Sequence, residues 1–171
     1  SAVAIATTIA AMLCPAQPAS AQDESDQRLG RVHFVISCNE TAQRRFDRAM
    51  RYQHSFWYRQ AKEIFEDVAK ADPECGMAYW GMAMANSENQ DRAKKFMAEC
   101  VKHKAGLSER ELMYIDALDA YVKADGNKKK ERNEAYTRAL EKILYKFPDD
   151  IEARAFLALQ LWKNRDAGIP I

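Results

Sequence analysis

Apolar residues in the stretch 56–85 recur at three- and four-residue steps, which is the spacing of one face of a helix. The first series consists of Tyr58, Ala61, Phe65 and Val68. The pair Asp72-Pro73 follows it and predicts a helix end, because proline disfavours a helical conformation in the residue before it. A second apolar series begins directly afterwards, with Tyr79, Met82 and Ala83. The stretch therefore predicts the second helix of one hairpin, a short turn and the first helix of the next hairpin.

The same periodicity continues on both sides of this stretch and predicts about six or seven helices, so the expected fold class is all-α. The helices are predicted over residues 41–56, 58–71, 76–85, 88–104 and 108–123, then in a segment that ends at Phe147-Pro148, and finally over 151–162. Asn39 suits the start of the first helix as an N-cap. Ser108 and Glu111 have the spacing of a capping box, which predicts the start of the fifth helix.

Small and aromatic residues along these helices resemble the pattern of the tetratricopeptide repeat, a helix–turn–helix unit of about 34 residues. The matching positions are Ala49, Tyr52, Tyr58, Ala61, Phe65 and Pro73. Arg48 and Val68 depart from the pattern, since leucine and alanine are usual there. The words SCNETAQRRFDRAM, HSFWY and DPECGMAYWGMAMA are similar to the opening of a group of exported bacterial tetratricopeptide proteins. The resemblance covers residues 40–105 and 130–163, and it implies a solenoid of α-hairpins within a domain spanning 41–163.

Residues 1–21 carry no charge, and their apolar run over 2–13 is too short to span a bilayer. Ala19-Ser20-Ala21 has the small-x-small form of a cleavage signal, so residues 1–21 are interpreted as the remnant of a secretory signal peptide. A lipoprotein signal with Cys14 as the lipidated residue is the alternative. We therefore expect an exported protein, periplasmic or extracellular, with no membrane span in the mature chain.

The two ends of the helical domain are expected to differ. Residues 22–40 are predicted to form an extended lead-in, in which the apolar run 32–36 lies as a strap on the first helices. Residues 164–171 are predicted to be a tail. The last predicted helix, 151–162, has no predicted partner helix, and repeat arrays usually cap their ends. This predicts either a longer protein or assembly, with a like or unlike molecule, through the C-terminal helix.

The expected compartment favours disulfide-bonded cysteines, because disulfides persist in the oxidising environment that an exported protein meets. In a repeat hairpin, the second helix returns the chain to the end at which the first helix began, which brings Cys38 and Cys75 to the same end. We therefore expect a Cys38–Cys75 disulfide, with three reduced cysteines as the alternative. Cys100 lies in the apolar pattern of the fourth helix and is predicted to be a buried free thiol.

Composition and motifs narrow the function classes. With a net charge of +1, the chain lacks the basic excess expected of a nucleic-acid-binding protein. It also lacks a glycine-rich phosphate loop and a Gly-x-Ser-x-Gly motif, so we predict no catalytic residue, no cofactor and no enzyme activity. A repeat domain attached to an enzyme whose catalytic part lies outside this chain is one alternative.

A periplasmic metal- or haem-binding protein is the other alternative, because sulfur and imidazole ligands occur close together in sequence and would suit copper. These residues are His33, Cys38, His54, Met77, Met82 and Met84. The spacing motifs Cys-x-x-Cys and His-Glu-x-x-His are absent, so the primary prediction contains no metal.

The tetratricopeptide resemblance implies a concave groove lined by the first helix of each pair. Its lining residues would be Phe46, Met50, Gln53, His54, Met77, Trp80 and Met84. Aromatic and methionine side chains adapt well to peptides and partner helices. The predicted function is therefore a non-catalytic scaffold of the bacterial cell envelope that binds a peptide or partner protein in this groove. The alternative is that several of these side chains pack under the strap or against a neighbouring helix.

Overall fold

The computed structural model describes residues 28–169 of the 171-residue chain. Within this range lie seven helices and no β-strand, and none of these helices is long and apolar enough to cross a bilayer. The helices are α1 (Glu40–His54), α2 (Tyr58–Ala71), α3 (Gly76–Met84), α4 (Gln90–Lys102), α5 (Glu109–Lys123), α6 (Lys129–Lys146) and α7 (Ile151–Asp166). The predicted all-α fold is therefore confirmed for the described residues. The predicted signal remnant 1–21 and the alternative lipidation site Cys14 lie outside them.

Observed helix boundaries differ from the predicted ones by a few residues at the ends. Helix α1 ends at His54, earlier than expected, because Phe56 has a φ of +62°. This left-handed conformation cannot continue a right-handed helix. Helix α4 begins later than expected, at Gln90, because the Asn89 side chain accepts a hydrogen bond from Arg92 N at 3.1 Å and caps the helix there.

Side-chain caps start several helices, as the sequence predicts for two of them. Asn39 Oδ1 accepts a hydrogen bond from Ala42 N at 2.9 Å at the start of α1. Ser108 and Glu111 form both halves of a capping box at the start of α5. The Asp150 side chain caps α7 by accepting a hydrogen bond from Ala153 N at 3.1 Å. Each cap satisfies a backbone N–H that has no partner inside its helix, which explains why the helices begin at these residues.

A disulfide joins Cys38 and Cys75, whose Cα atoms lie 5.4 Å apart. Cys38 precedes α1 and Cys75 follows α2, so the bond places the start of α1 beside the end of α2, and the two helices are antiparallel. Hydrogen bonds hold the same end together. Asn39 N donates to Asp72 Oδ2, and Asn39 Nδ2 donates to Ala71 O, both at 2.8 Å. The structure thus contains the cysteine pairing that the hairpin argument predicts.

Consecutive helices pack against each other, with the most extensive contacts between α1 and α2 and between α3 and α4. Helix α3 also contacts α1 and α5, so these odd-numbered helices share one face of the arrangement. Large side chains, including Phe46, Trp80 and Tyr114, are almost completely buried along this face. The helices therefore form successive hairpins in chain order, and part of the core lies on the face that α1, α3 and α5 share.

Small residues let α2 and α3 approach each other closely. Ala61 of α2 and Ala83 of α3 are fully buried, as their positions in the apolar pattern predict. Gly81 of α3 faces the ring of Phe65 of α2 so closely that a Cβ atom on it would lie 2.3 Å from a ring carbon. Glycine at this position is therefore required by the close approach of the two helices.

Cys100 is the free cysteine of the described residues and is fully buried in α4. Burial raises the pKa of its thiol to about 12. The thiol therefore stays protonated at neutral pH and acts as a small apolar group in the core.

The substitution Gly81→Ala should lower the free energy of unfolding by about 1–3 kcal/mol, because the added methyl group must displace the buried Phe65 ring. Urea unfolding followed by circular dichroism measures the change. Gly126→Ala is the control, since its Cβ would meet only the flexible end of the Gln90 side chain, at 3.0 Å. Equal stability losses in the two variants would contradict the close-approach argument.

The double substitution Cys38→Ser with Cys75→Ser should lower the free energy of unfolding by about 3–4 kcal/mol, because it opens a cross-link between residues separated by 37 positions. Denaturant unfolding with and without a thiol reductant measures this. The reductant should lower the stability of the wild-type protein and leave the double variant unchanged. A wild-type protein that does not respond to reductant would argue against the bond.

Candidate functional site

The strap, residues 32–36, is extended and lies across α1, α3 and α5. Its side chains alternate between the helices and solvent. Phe34 and Ile36 point inward, with 0% and 6% exposed, whereas His33 and Val35 point outward, Val35 with 61% exposed. This is the period-two alternation of a β-strand. The strap shows this alternation although it lies on a surface of helices. Its backbone N–H and C=O groups therefore need partners other than a second strand.

Phe34 is the inward anchor of the strap. The centroid of its ring lies 5.4 Å from that of Phe46 in α1, 5.7 Å from that of Trp80 in α3 and 5.0 Å from that of Tyr114 in α5. Phe156 of α7 extends the cluster by packing against Trp80 at 6.0 Å. Burial of a phenylalanine contributes about 1.5–3 kcal/mol, and each aromatic pair adds about 0.5–1.5 kcal/mol. One strap side chain thus joins helices from three different hairpins.

Two side chains of α1 bind the backbone of the strap. Gln43 accepts from Ile36 N at 2.9 Å and donates to Phe34 O at 2.8 Å. Asp47 Oδ1 accepts from Phe34 N at 3.1 Å, and Asp47 Oδ2 lies 2.7 Å from His33 Nδ1. A hydrogen bond of 2.8 Å between Gln43 and Asp47 orients both groups. Three of these four strap contacts go to main-chain atoms, so they do not depend on which residue the strap carries.

Helix α5 binds the other end of the strap. Glu111 is fully buried, and its carboxylate accepts from Ser37 N at 2.6 Å and from Ser37 Oγ at 2.5 Å. The same carboxylate accepts from the backbone and hydroxyl of Ser108 at 2.8 and 2.6 Å. Arg110 Nη1 donates to Val35 O at 3.3 Å. A buried carboxylate is costly unless it is fully hydrogen-bonded, and the segment after the strap supplies half of the partners of Glu111.

Arg110 also connects the strap to the start of α7. Its Nε and Nη2 donate to the two carboxylate oxygens of Asp150 at 2.7 and 3.1 Å, in a bidentate pair. Its guanidinium carbon lies 4.1 Å from the centroid of the Phe34 ring, within the range of a cation–π contact. Burial opposes the charged form of Asp150, but hydrogen bonds from Arg110 and Ala153 N outweigh it. The pKa of Asp150 therefore lies below its usual value of 3.8.

A cleft of about 390 Å³ runs along the exposed side of the strap, between the strap and the start of α7. Its lining residues are Arg31, Val32, His33, Val35, Arg110, Asp149, Asp150, Ile151 and Glu152. Basic side chains of the N-terminal segment and acidic side chains from the start of α7 therefore line the same cleft. Opposite charges across a cleft favour a basic segment lying against the acidic side.

The seven side chains predicted to line an open groove do lie on α1 and α3, but they do not form a free surface. They are Phe46, Met50, Gln53, His54, Met77, Trp80 and Met84. Apart from His54, each is at most 8% exposed. The ring of His54 packs against Phe156 of α7, and His54 Nε2 lies 2.5 Å from Glu152 Oε2. The prediction of an accessible groove at these residues is corrected, because the strap, α5 and α7 cover this apolar surface.

Five polar residues hold the strap or its neighbours, and the sequence pattern does not identify them as site residues. They are Gln43, Asp47, Arg110, Glu111 and Asp150. From the sequence, Glu111 is identified only as part of a helix cap. The available signal was the apolar run 32–36 without a second predicted strand, because buried N–H and C=O groups must be paired and would need side chains to pair them. The four-residue spacing of Gln43 and Asp47 places both on one face of α1.

Two of the predicted groove residues, Gln53 and Met84, line a smaller cavity of about 30 Å³. Its other lining residues come mainly from α5, α6 and α7, among them Lys163. Gln53 Oε1 is buried there without a hydrogen-bond partner in the described range. A volume of this size holds on the order of two water molecules, so we assign no ligand to this cavity.

The alternative set of metal ligands does not form a cluster. Cys38 is part of the disulfide, His33 is paired with Asp47, and His54 is paired with Glu152. Across residues 28–169, no group of three or more His, Cys, Asp and Glu side chains is placed to hold a metal ion. The methionines of the set, Met77, Met82 and Met84, are core residues at most 8% exposed.

Helix α7 makes its extensive helix contacts with α6. Its outer side carries two large exposed apolar residues, Ile151 and Trp162, with 72% and 53% exposed. Assembly through the C-terminal helix stays a prediction.

Comparisons with protein-family models, curated protein sequences and solved structures give no significant match for this chain. The resemblance to tetratricopeptide repeats therefore rests on the residue pattern, and function has to be inferred from the geometry of the strap and its surroundings.

The substitution Asp150→Asn should lower the free energy of unfolding at neutral pH by about 1–3 kcal/mol, because it removes a charge-assisted partner of Arg110. The pKa of Asp150 is lowered on folding, so the contribution of its charged form is present above the usual pKa of 3.8 and is lost as the pH falls through the lower folded pKa. The stabilities of wild type and Asp150→Asn should therefore converge in acid. Urea unfolding at several pH values measures this, with Asp149→Asn as the control, and parallel curves would contradict the assignment.

Proposed function

We propose that this chain is an exported, non-catalytic scaffold of the tetratricopeptide-repeat type that binds another polypeptide in the bacterial cell envelope. The order of the helical hairpins and the residue pattern of α1 to α3 support the repeat type. The Cys38–Cys75 disulfide supports an oxidising compartment, since such bonds persist there.

The observation that carries this proposal is the manner in which the helices hold the strap. Five hydrogen bonds run from helix side chains to main-chain atoms of residues 34–37. Main-chain hydrogen bonds combined with pockets for alternate side chains are one way in which proteins bind extended peptides. A helical face that binds one extended segment of its own chain has the chemistry needed to bind a similar segment of a partner.

A binding role fits the charged groups at the strap better than a catalytic one. Asp47 and Glu111 use their carboxylate oxygens to accept hydrogen bonds from the strap and the residue after it. Asp150 is engaged in a bidentate pair with Arg110 and in the cap of α7. Each of these acids is committed to holding a segment of chain in place.

Photo-crosslinking in an envelope extract of the source organism tests the proposal. A photoreactive residue in place of Ile151, which lines the cleft beside the strap, should form a discrete covalent adduct with another protein. The control carries the photoreactive residue in place of Tyr145, which is 91% exposed on α6, and should give no such adduct. The experiment is carried out in the wild-type background and in a Phe34→Ala background. The proposal fails if, in both backgrounds, the probe at Ile151 gives no adduct or gives the same adducts as the probe at Tyr145.

A further inference from the structure

The strap meets the helices as a bound peptide meets its groove. Its alternate side chains Phe34 and Ile36 occupy apolar sites, while Val35 between them faces solvent. The polar contacts are directed mainly at N–H and C=O groups, which every extended chain presents. The helices therefore select for two inward apolar side chains, spaced by two residues, and for an extended conformation.

The two ends of the strap are held unequally. After the strap, Ser37 is bound to Glu111, and the next residue, Cys38, is fixed by the disulfide. Before it, Arg31 and Gly30 are exposed, Gly30 with a φ of +78°. The contacts on this side are the partly buried Leu29 and Val32, which pack against the core without a covalent link. The strap can therefore leave the helices from its N-terminal end without breaking the disulfide or the cap of α1.

A strap that is released in this way stays close to its site. Because Cys38 remains attached, the effective concentration of the strap at the groove is high, and it rebinds readily. Any other segment that uses the same groove competes with the strap, and its apparent affinity is reduced by the fraction of molecules in which the strap is bound. The intramolecular contact thus sets a threshold for binding in trans.

The geometry points to a peptide site that the strap occupies in cis and that accepts in trans an extended polypeptide segment with a phenylalanine two positions before an aliphatic residue. A basic residue that precedes the phenylalanine would lie along the cleft lined by Asp149 and Glu152, where Arg31 and His33 lie now. This inference rests on the proposed function, and it names the chemistry of the partner and the regulation of the site.

A labelled peptide with the sequence of residues 31–37, RVHFVIS, is the probe, and fluorescence anisotropy measures its binding to the full chain with the disulfide intact. The variant Phe34→Ala removes the anchor of the strap and leaves every groove side chain unchanged. Val35→Ala is the matched control, because Val35 is the neighbouring strap residue and faces solvent. Ile36→Ala is a second, milder variant of the strap.

The peptide should bind Phe34→Ala at least about tenfold more tightly than it binds the wild type, because its competitor has been weakened. Ile36→Ala should show a smaller gain, and Val35→Ala should behave as the wild type does. The same peptide carrying Phe34→Ala should bind at least about tenfold more weakly, since the aromatic side chain is the anchor. Binding should also raise the Tm of the Phe34→Ala variant.

Several outcomes would overturn the inference. Folded Phe34→Ala and Ile36→Ala variants that bind the peptide no better than the wild type would show that the groove is ordinary core. The groove would also be ordinary core if Phe34→Ala is unfolded and the peptide does not refold it, provided that Ile36→Ala binds the peptide no more tightly than the wild type does. Dimers that exchange straps would assign the groove to a second copy of this chain. A partner crosslinked through Ile151 that the peptide does not displace would leave the proposed function standing and place its site elsewhere.

Discussion

Burial of the Phe34 ring connects the strap to helices of three successive hairpins. The ring lies between Phe46, Trp80 and Tyr114, which come from α1, α3 and α5. Without it, the shared face of these helices would present a large aromatic surface to water, at a cost that grows with the apolar area exposed. The helices by themselves are therefore an incomplete domain, and a short extended segment completes it.

Burying an extended segment among helices creates a polar problem, because its N–H and C=O groups have no neighbouring strand. The structure solves it with side chains placed on the shared face, among them Gln43, Asp47 and Glu111. These bonds also fix the register of the strap, since a shift by one residue would turn His33 and Val35 inward and Phe34 outward. Apolar burial supplies most of the stabilisation, and the polar contacts decide which residues are buried.

Under the proposed function, the same contacts that stabilise the domain limit the binding of a partner. A partner in the groove has to replace the strap, so the net free energy of binding is the difference between two similar sets of contacts. Net stabilities of domains are only about 5–15 kcal/mol, so leaving the Phe34 site empty would consume a sizeable part of that margin. Binding coupled to replacement avoids this loss, because the groove is filled before and after. Arg110 lies over Phe34 and holds Asp150, so it links occupancy of the groove to the start of α7.

Local patterns of residues are sufficient to predict the helices and their order. The local signals act within one or two turns of chain; they are the apolar spacing, the helix end at Asp72-Pro73 and the Asn39 cap. Because the two helices of a hairpin are antiparallel, these signals also predict the Cys38–Cys75 pair. The segment that covers the apolar face becomes evident from the three-dimensional packing. Periodicity shows which side of a helix is apolar, but the cover depends on contacts between residues far apart in the chain. Ser37 and Glu111 are separated by 74 positions, and no local pattern relates them.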